Sequence, residues 1–196
     1  MKDFVYLASQ SPRRRQLLEQ IGVRYELLLA ATDEDAELLE EALPGEAPLT
    51  YVKRVTQLKL EAAVKRMQAR SLKPATVLCA DTTVALGRVI LGKPENPQDA
   101  VRILKTLSGQ THRVLTAVAV ASGRRRSMRV SVSKVTFAPM TSSEIKAYVA
   151  SGEPFGKAGA YGVQGMAAAY ISEIRGSYTG IMGLPLFETA LLLKNI

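Results

Sequence analysis

The sequence predicts an α/β fold, and three features of the 196-residue chain support this prediction. Short apolar runs at residues 4–8 and 76–80 are typical of buried strands. Segments with apolar residues at helical spacing, such as residues 50–70, alternate with these runs. Turn-forming residues separate the two kinds of segment. Because 47% of the residues are hydrophobic, the chain can build a sizeable core, and we expect one domain over residues 1–196 without a separable linker.

In the first half of the chain, each predicted element has a local signal. After the strand at 4–8, Ser11 is suited to cap a helix and Pro12 to occupy its first position, and Gly22 can end that helix. The elements predicted next are a strand over 23–30, mostly loop over the acidic residues 32–48, a helix over 50–70, a buried strand over 76–80 that ends at Asp81, and another strand over 83–91.

The second half has equally local signals. Asn96 and Pro97 predict the start of a helix that runs to about Leu107. Thr141 and Glu144 have the spacing of a capping box and predict a helix to about Ala150. The other predicted elements are a hairpin of strands 113–121 and 128–137 around residues 122–126, a strand over 168–174, and a terminal helix from Pro185.

Composition excludes several classes of protein. No run of eighteen apolar residues is present, so we expect no membrane-spanning helix, and the apolar start is too short for a signal peptide. The lone Cys79 cannot form an internal disulfide; its apolar neighbours predict a core thiol, and a reducing cytoplasm suits it. His112 has no cysteine or histidine partner at metal-ligand spacing, which excludes a zinc site. A net charge of +8 is compatible with nucleic acid, a membrane surface or small polyanions as partners.

The segment from Ser9 to Arg15 has the features of a phosphate site. A helix N-terminus that follows a strand presents free N–H groups to an anion. Arginines such as Arg13 and Arg14 in the first helical turn oppose the helix dipole unless an anion lies between them. Guanidinium groups bind phosphate in a fork, and the Ser9 hydroxyl can add a donor. The alternative is a capped helix with a solvated basic end.

Asp81 is the candidate for proton transfer or metal binding. Ligands of α/β proteins bind beyond the carboxyl ends of strands, where this carboxylate is predicted to lie. It could act as a general base on water or bind a divalent cation. Asp33 or Glu34, from the acidic segment after the second strand, could share that cation. A turn aspartate and a solvated acidic loop are the alternatives.

Two lysines and a glycine-rich segment complete the candidate set. Lys59 lies between two leucines on the long helix, so it either extends along the surface to water or points into a cleft. Lys93 can hold a phosphate as a point charge, although taken alone a solvated turn lysine is favoured. Glycines in residues 157–165 let the backbone approach a ligand closely, and Gln164 offers a donor and an acceptor to a base edge.

Together these segments resemble the Maf-like family of nucleotide pyrophosphatases. The matching segments, in family order over almost the whole chain, are LASQSPRR at 7–14, the acidic pair at 33–34, ADTTV at 80–84, GKP at 92–94, LSGQTH at 107–112, KAGAYGVQG at 157–165, GSY at 176–178 and GLP at 183–185. The segment KAGAYGVQG resembles the subgroup that acts on dTTP and UTP; another subgroup acts on 7-methyl-GTP. Leu58, where relatives often have an acid, and Gly180, where many have asparagine, depart from the pattern.

The resemblance implies an elongated mixed sheet with flanking helices, in two lobes around a central cleft, as in inosine-triphosphate pyrophosphatases. It implies hydrolysis of dTTP and UTP, or modified pyrimidine nucleotides, to the monophosphate and pyrophosphate, with roles in nucleotide-pool sanitation and cell division arrest. By position, it implies phosphate binding by Ser9, Arg13, Arg14, Lys59 and Lys93, proton acceptance by Asp81, base preference set by Arg13, Thr82 and Gln164, and a divalent cation, Mg²⁺ or Mn²⁺, at Glu34 and Asp81.

Two interpretations from other classes stay open. A nucleic-acid-binding protein would explain the net charge of +8, but the sequence lacks aromatic residues interleaved with a basic face. A division-regulating protein that acts through partner contacts, without essential catalysis, could coexist with an enzyme. The favoured interpretation is a cytoplasmic enzyme whose partner is a nucleoside triphosphate and not a membrane; a homodimer is compatible with it.

Overall fold

The computed structural model describes residues 4–31 and 38–196, which form a mixed seven-stranded sheet flanked by helices. The α/β prediction is therefore confirmed. The strands are β1 (Val5–Leu7), β2 (Tyr25–Leu27), β3 (Thr76–Leu86), β4 (Val89–Leu91), β5 (Thr111–Ser122), β6 (Arg125–Phe137) and β7 (Ile171–Arg175). The helices are α1 (Pro12–Gln20), α2 (Pro48–Ala69), α3 (Pro97–Leu107), α4 (Ser142–Ala150), α5 (Tyr178–Met182) and α6 (Leu186–Asn195). Short 3₁₀ turns occupy Leu38–Glu40, Ala158–Ala160 and Met166–Tyr170.

The sheet has the order β2-β1-β3-β5-β6-β7, with β4 also paired to β3. The β1 strand is parallel to β2 and β3, whereas the other pairs are antiparallel. The predicted strand over 23–30 is shorter in the structure, since β1 pairs with Tyr25–Leu27 alone and itself ends at Leu7. Within the described part of the chain, no helix is long and apolar enough to cross a membrane.

The prediction that a strand ends at Asp81 is wrong. Strand β3 runs without interruption from Thr76 to Leu86, so Asp81 lies in its middle. The antiparallel partner β5 pairs with β3 from Val77 to Ala85 and so continues the ladder past the polar residues. The separate strand predicted over 83–91 is instead the end of β3, a tight turn and the short β4 that pairs back onto it.

The opposite side of β3 has a gap in its pairing. Strand β1 pairs with residues 76–78 and β4 pairs with residues 84–86. Within the described residues, no strand therefore pairs with residues 79–83 on that side. Asp81 lies at the centre of the gap, and the chain passes its edge as it leaves β1, where Ala8 donates its N–H to the Leu78 carbonyl (2.9 Å). The gap leaves room for loops to approach the middle of the sheet.

Helices cover both faces of the sheet around this gap. The α2 residues Val52 and Val55 pack on the β3–β5 region, and Leu60 lies in the neighbouring cluster with Cys79. On the other face, α1 and α6 contribute Leu17, Leu18 and Leu192 to a cluster with Leu78 and Val118. A further cluster of side chains, from α3, α4 and residues 160–163, includes Val84 of β3. Side-chain clusters therefore pack on both faces of the sheet around the gap, and the two-lobe organisation that the resemblance implies stays a prediction.

Several local predictions are confirmed by the hydrogen bonds. The Asn96 side chain accepts the Asp99 N–H (2.9 Å) at the start of α3. At α4, Thr141 and Glu144 form both bonds of the capping box. The β5–β6 hairpin forms as predicted, although both strands extend further towards its turn. The short α5 was not predicted, because its five residues include Gly180 and offer too few apolar positions for a helical period.

Candidate active site

A cleft of about 530 Å³ opens at the gap beside β3. It is lined by every predicted site residue that the structure describes: Ser9, Arg13, Arg14, Lys59, Asp81, Thr82, Lys93 and Gln164. Asp33 and Glu34 lie outside the described residues, so the predicted sharing of a cation by Glu34 and Asp81 stays a prediction. Residues that are separated by more than 150 positions in sequence therefore meet in one cavity.

The start of α1 forms the arginine side of the cleft. Arg14 Nη1 donates to Ser9 Oγ (3.0 Å), and Arg14 Nε donates to the Gly183 carbonyl (2.8 Å). Arg13 Nε donates to the Met182 carbonyl (3.2 Å). Burial lowers the pKa of Arg14, and the nearby Asp81 carboxylate opposes that change. The turn between α5 and α6 thus holds both guanidinium groups at the cleft, next to the carboxylate of β3.

Lysines and carboxylates alternate on the α2 side of the cleft. Lys59 Nζ lies 2.5 Å from Asp81 Oδ1 and 2.7 Å from Glu40 Oε1. Lys93 Nζ lies 2.7 Å from Glu40 Oε2. Of the two alternatives for Lys59, the structure shows the one in which its ammonium points into the cleft. The four charges are arranged so that each lysine contacts a carboxylate and Lys59 contacts two.

Glu40 is a cleft residue that sequence reasoning missed. It ends the 3₁₀ turn before α2, and its carbonyl accepts the Tyr51 hydroxyl (2.7 Å). Partial burial raises the pKa of Glu40, but Lys59 and Lys93 outweigh this effect and lower it overall. Residues 32–48 contain many acids, and no spacing in that segment distinguishes Glu40 from its neighbours. The only available signal was its acidic character, which pointed equally to Asp33 and Glu34.

Thr82 reaches the cleft from the other face of β3. Successive side chains of a strand point to opposite faces, so Thr82 points away from α2 while Asp81 points towards it. Its Oγ1 lies 3.1 Å from Thr116 Oγ1, and Thr116 donates to the Gly180 carbonyl (2.7 Å). A Cβ at Gly180 would lie 3.1 Å from Ser131 Oγ, so this position has little room for a side chain. The gap in pairing allows both faces of β3 to contribute to one cavity.

The glycine-rich segment closes the cleft on the side of the second lobe. Gly159 donates its N–H to the Gly92 carbonyl (3.0 Å), which places the segment next to the loop that contains Lys93. Tyr161 is buried, and its hydroxyl lies 2.8 Å from His112 Nε2, so its role is packing. Gln164 is exposed and lines the cleft. Its amide is therefore accessible to a bound ligand.

Two buried residues, Cys79 and His112, lie outside the cleft, and the core position predicted for Cys79 is confirmed. Burial raises the pKa of the Cys79 thiol to about 12, so it stays a neutral core group. Burial lowers the pKa of His112 to about 4, and its ring packs edge-on against Phe137 and Tyr161. Over residues 4–31 and 38–196, no group of three or more histidine, cysteine, aspartate and glutamate side chains could hold a metal ion.

Comparisons with known proteins identify the family to which the chain is similar. The model of the family described as Maf-like protein matches residues 4–196. A dTTP/UTP pyrophosphatase of Polaromonas sp. is 67% identical over 98% of this chain and 95% of its own. Another, from Albidiferax ferrireducens, is 64% identical over 100% of this chain and 98% of its own. A solved nucleoside-triphosphatase / dITP/XTP pyrophosphatase of Mycobacterium abscessus is 14% identical, with a TM-score of 0.48 over 97% of this chain and 93% of that one.

Proposed function

The chain belongs to the Maf-like protein family, and from this premise we propose that it hydrolyses dTTP and UTP to the monophosphate and pyrophosphate. One observation supports this most directly: four cationic side chains, Arg13, Arg14, Lys59 and Lys93, line the same cleft as the Asp81 carboxylate. The choice of pyrimidine nucleotides comes from the names of relatives that match nearly the full chain.

The cations are proposed to bind the triphosphate. A triphosphate is strongly anionic, and phosphoryl transfer depends on positioning and on stabilising charge that develops on the phosphate oxygens. Arg13 and Arg14 each use Nε to bind a main-chain carbonyl, which orients the guanidinium plane towards the cleft. Lys59 and Lys93 reach the same cavity from α2 and from the loop after β4. The substrate phosphates would therefore lie between two pairs of cations, with the Ser9 hydroxyl as a further donor.

Asp81 is proposed to accept the proton of the attacking water. Asp81 is only 8% exposed, and its carboxylate is oriented through Oδ1 by the ammonium of Lys59. A positioned carboxylate within hydrogen-bond reach of water meets the geometric requirement for a general base. The water attacks the α-phosphorus, pyrophosphate leaves, and the proton moves to Asp81. The pyrophosphatase activity named for the relatives requires cleavage between the α- and β-phosphates, and attack at the α-phosphorus is part of this proposal.

A divalent cation, Mg²⁺ or Mn²⁺, fits the oxygen donors of the cleft. The Asp81 and Glu40 carboxylates both contact Nζ of Lys59, so two carboxylates lie close together in the cleft. Mg²⁺ in proteins takes one or two carboxylates and fills its other positions with water and phosphate oxygens. Asp81 and Glu40 would hold it, and Glu34 is a further candidate in the undescribed segment. When bound, such a cation offsets phosphate charge and lowers the pKa of water.

Base preference is proposed to depend on Gln164, with Arg13 and Thr82 nearby in the same cavity. A side-chain amide offers a donor and an acceptor together, as the edge of uracil or thymine requires. The single, buried thiol of Cys79 suits the reducing cytoplasm, in which we place the enzyme. Hydrolysis there would remove normal or modified pyrimidine triphosphates from the nucleotide pool.

Pyrophosphate release from a panel of nucleoside triphosphates tests the proposal. We expect UTP and dTTP to be the best substrates of the wild type. Asp81→Asn should lower kcat by about 10²- to 10⁴-fold while nucleotide binding stays measurable, because general-base catalysis contributes a factor of that order. Asp99→Asn is the matched control, since Asp99 pairs with Arg102 on α3 and does not line the cleft. Wild-type turnover by Asp81→Asn would show that Asp81 is not the base.

A further inference from the structure

Glu153 lies just before the glycine-rich segment and does not line the cleft. We infer that it is a positioning residue that sets base preference by holding both ends of the loop that presents Gln164. The inference rests on the proposed function, in which Gln164 contacts the base. It concerns a residue that the phosphate chemistry does not use.

The contacts of Glu153 surround Gln164 in the sequence. Its carboxylate accepts the Tyr148 hydroxyl (2.7 Å) and the N–H groups of Met166 (2.8 Å) and Ala167 (3.4 Å). Its main-chain carbonyl accepts the Lys157 ammonium. One residue therefore binds the chain seven positions before Gln164 and again two and three positions after it.

Tyr148 extends this network to the middle of the loop. It is buried on α4, and its hydroxyl oxygen accepts the Gly162 N–H (3.3 Å). The bound positions 162 and 166 lie symmetrically, two residues on each side of Gln164. Since the Gln164 side chain is exposed, it has few packing contacts of its own to fix it. The position of its amide therefore depends mainly on where the flanking backbone is held.

The loop passes directly over the Glu153 carboxylate. A Cβ added at Gly165 would overlap the carboxylate atoms, and one added at Gly162 would lie 3.3 Å from Lys157 Cε and 3.6 Å from Glu153 Oε1. Partial burial raises the pKa of Glu153, but the N–H and hydroxyl donors outweigh it and lower that pKa overall, so the group stays ionised. Hydrogen bonds to an ionised acceptor are about twice as strong as neutral ones. The close approach and the charge together make Glu153 a rigid support for the loop.

The test compares kcat/KM for UTP and CTP, whose bases differ in the edge that Gln164 would contact. The variants are Glu153→Ala, Glu153→Gln and Gln164→Ala, with the inhibition constant of pyrophosphate as a measure of the phosphate site. We expect Glu153→Ala to lower the UTP/CTP preference by about tenfold or more, towards that of Gln164→Ala, because displacement of a positioned group by about 1 Å can reduce rates by up to about 100-fold. Pyrophosphate inhibition should change less than about twofold, since the phosphate cations are held elsewhere. Glu153→Gln should retain part of the preference, because its amide oxygen still accepts a backbone N–H.

Tyr148→Phe serves as a second variant if Glu153→Ala folds poorly, because it removes only the hydroxyl that Gly162 and Glu153 contact. It should give an intermediate preference. Wild-type preference in Glu153→Ala, or in Tyr148→Phe where Glu153→Ala does not fold, would overturn the inference alone. The inference would also be overturned if Glu153→Ala lost the UTP/CTP preference and pyrophosphate inhibition to the same extent, because that result indicates a general disruption of the site. A wild type without the preference, or Gln164→Ala with wild-type preference, would instead overturn the proposed base recognition and this inference with it.

Discussion

Gly159→Ala should destabilise the protein strongly, because it combines backbone strain with a clash in the core. Gly159 has φ = +73°, in the left-handed region that residues with a Cβ avoid. A Cβ at this position would lie 2.8 Å from Val84 Cγ1, 2.9 Å from Cγ2 and 3.0 Å from Cβ. Val84 is buried on β3, so its side chain cannot move into solvent. The substitution must therefore displace either β3 or the segment that closes the cleft.

The two effects can be estimated separately. Left-handed backbone costs an alanine about 1 kcal/mol. Overpacking a core by one methyl group costs about 1–3 kcal/mol, so we take about 2 kcal/mol for the contact with Val84. In a domain of this length, 1 kcal/mol lowers Tm by roughly 2–4 °C, which predicts a decrease of roughly 6–12 °C for Gly159→Ala.

Gly156→Ala is the matched control, since Gly156 has φ = +70° and no atom within 4 Å of an added Cβ. The Gly156→Ala variant has the backbone strain without the clash, so it should lower Tm by only roughly 2–4 °C. Both variants are measured by thermal unfolding followed by circular dichroism. In a Val84→Ala background, Gly159→Ala should lower Tm by about as much as Gly156→Ala does, because the two Cγ atoms that clash with the added Cβ are absent. Equal losses of Tm in the two glycine variants would refute the clash with Val84.

Two further predictions concern pH and the lysine that contacts Asp81. Burial lowers the pKa of His112 to about 4, whereas the unfolded histidine has a pKa of about 6.5. Between these two pH values the unfolded state binds a proton that the folded state does not bind. The contribution of the neutral His112 to stability is therefore fully present above about pH 6.5, and the free energy of unfolding should fall by about 3 kcal/mol as the pH is lowered to about 4. Urea unfolding should show a smaller decrease over this range in His112→Phe, and an identical slope would contradict the assignment. Lys59→Gln should raise KM for UTP by about 10-fold or more, because hydrogen bonds to charged groups are worth about 1.5–3 kcal/mol. Lys53→Gln, on the exposed side of the same helix, should leave KM unchanged, and equal effects would argue against phosphate binding by Lys59.

The carbonyls that orient the two arginines could not be predicted from the sequence. Ser9, Arg13 and Arg14 are recognisable as a phosphate-binding pattern because the pattern is contained within one turn and the start of one helix. The partners of Arg13 and Arg14, Met182 and Gly183, are 169 residues away, at the end of a helix too short to show a period. Sequence therefore indicates the type of site, and the structure shows which side chains meet and in what orientation.

What the sequence determined by itself was local. The caps of α3 and α4, the hairpin of β5 and β6, and the buried character of Cys79 each depend on a few neighbouring residues. These features depend on residues within one helix end, one run of apolar residues or one pair of consecutive strands, so their signals are present in short segments.

Only the tertiary structure decided that β3 continues through Asp81 and that Glu40 joins the two lysines. The first depends on the β5 ladder, which supplies hydrogen-bond partners across residues that would otherwise end a strand. The second depends on the ion pairs that Glu40 forms with Lys59 and Lys93. These lysines are 19 and 53 positions from Glu40 along the chain. Hydrogen bonds and charge pairs of this kind form between segments that are distant in sequence, and their energies depend on a geometry that no single segment contains.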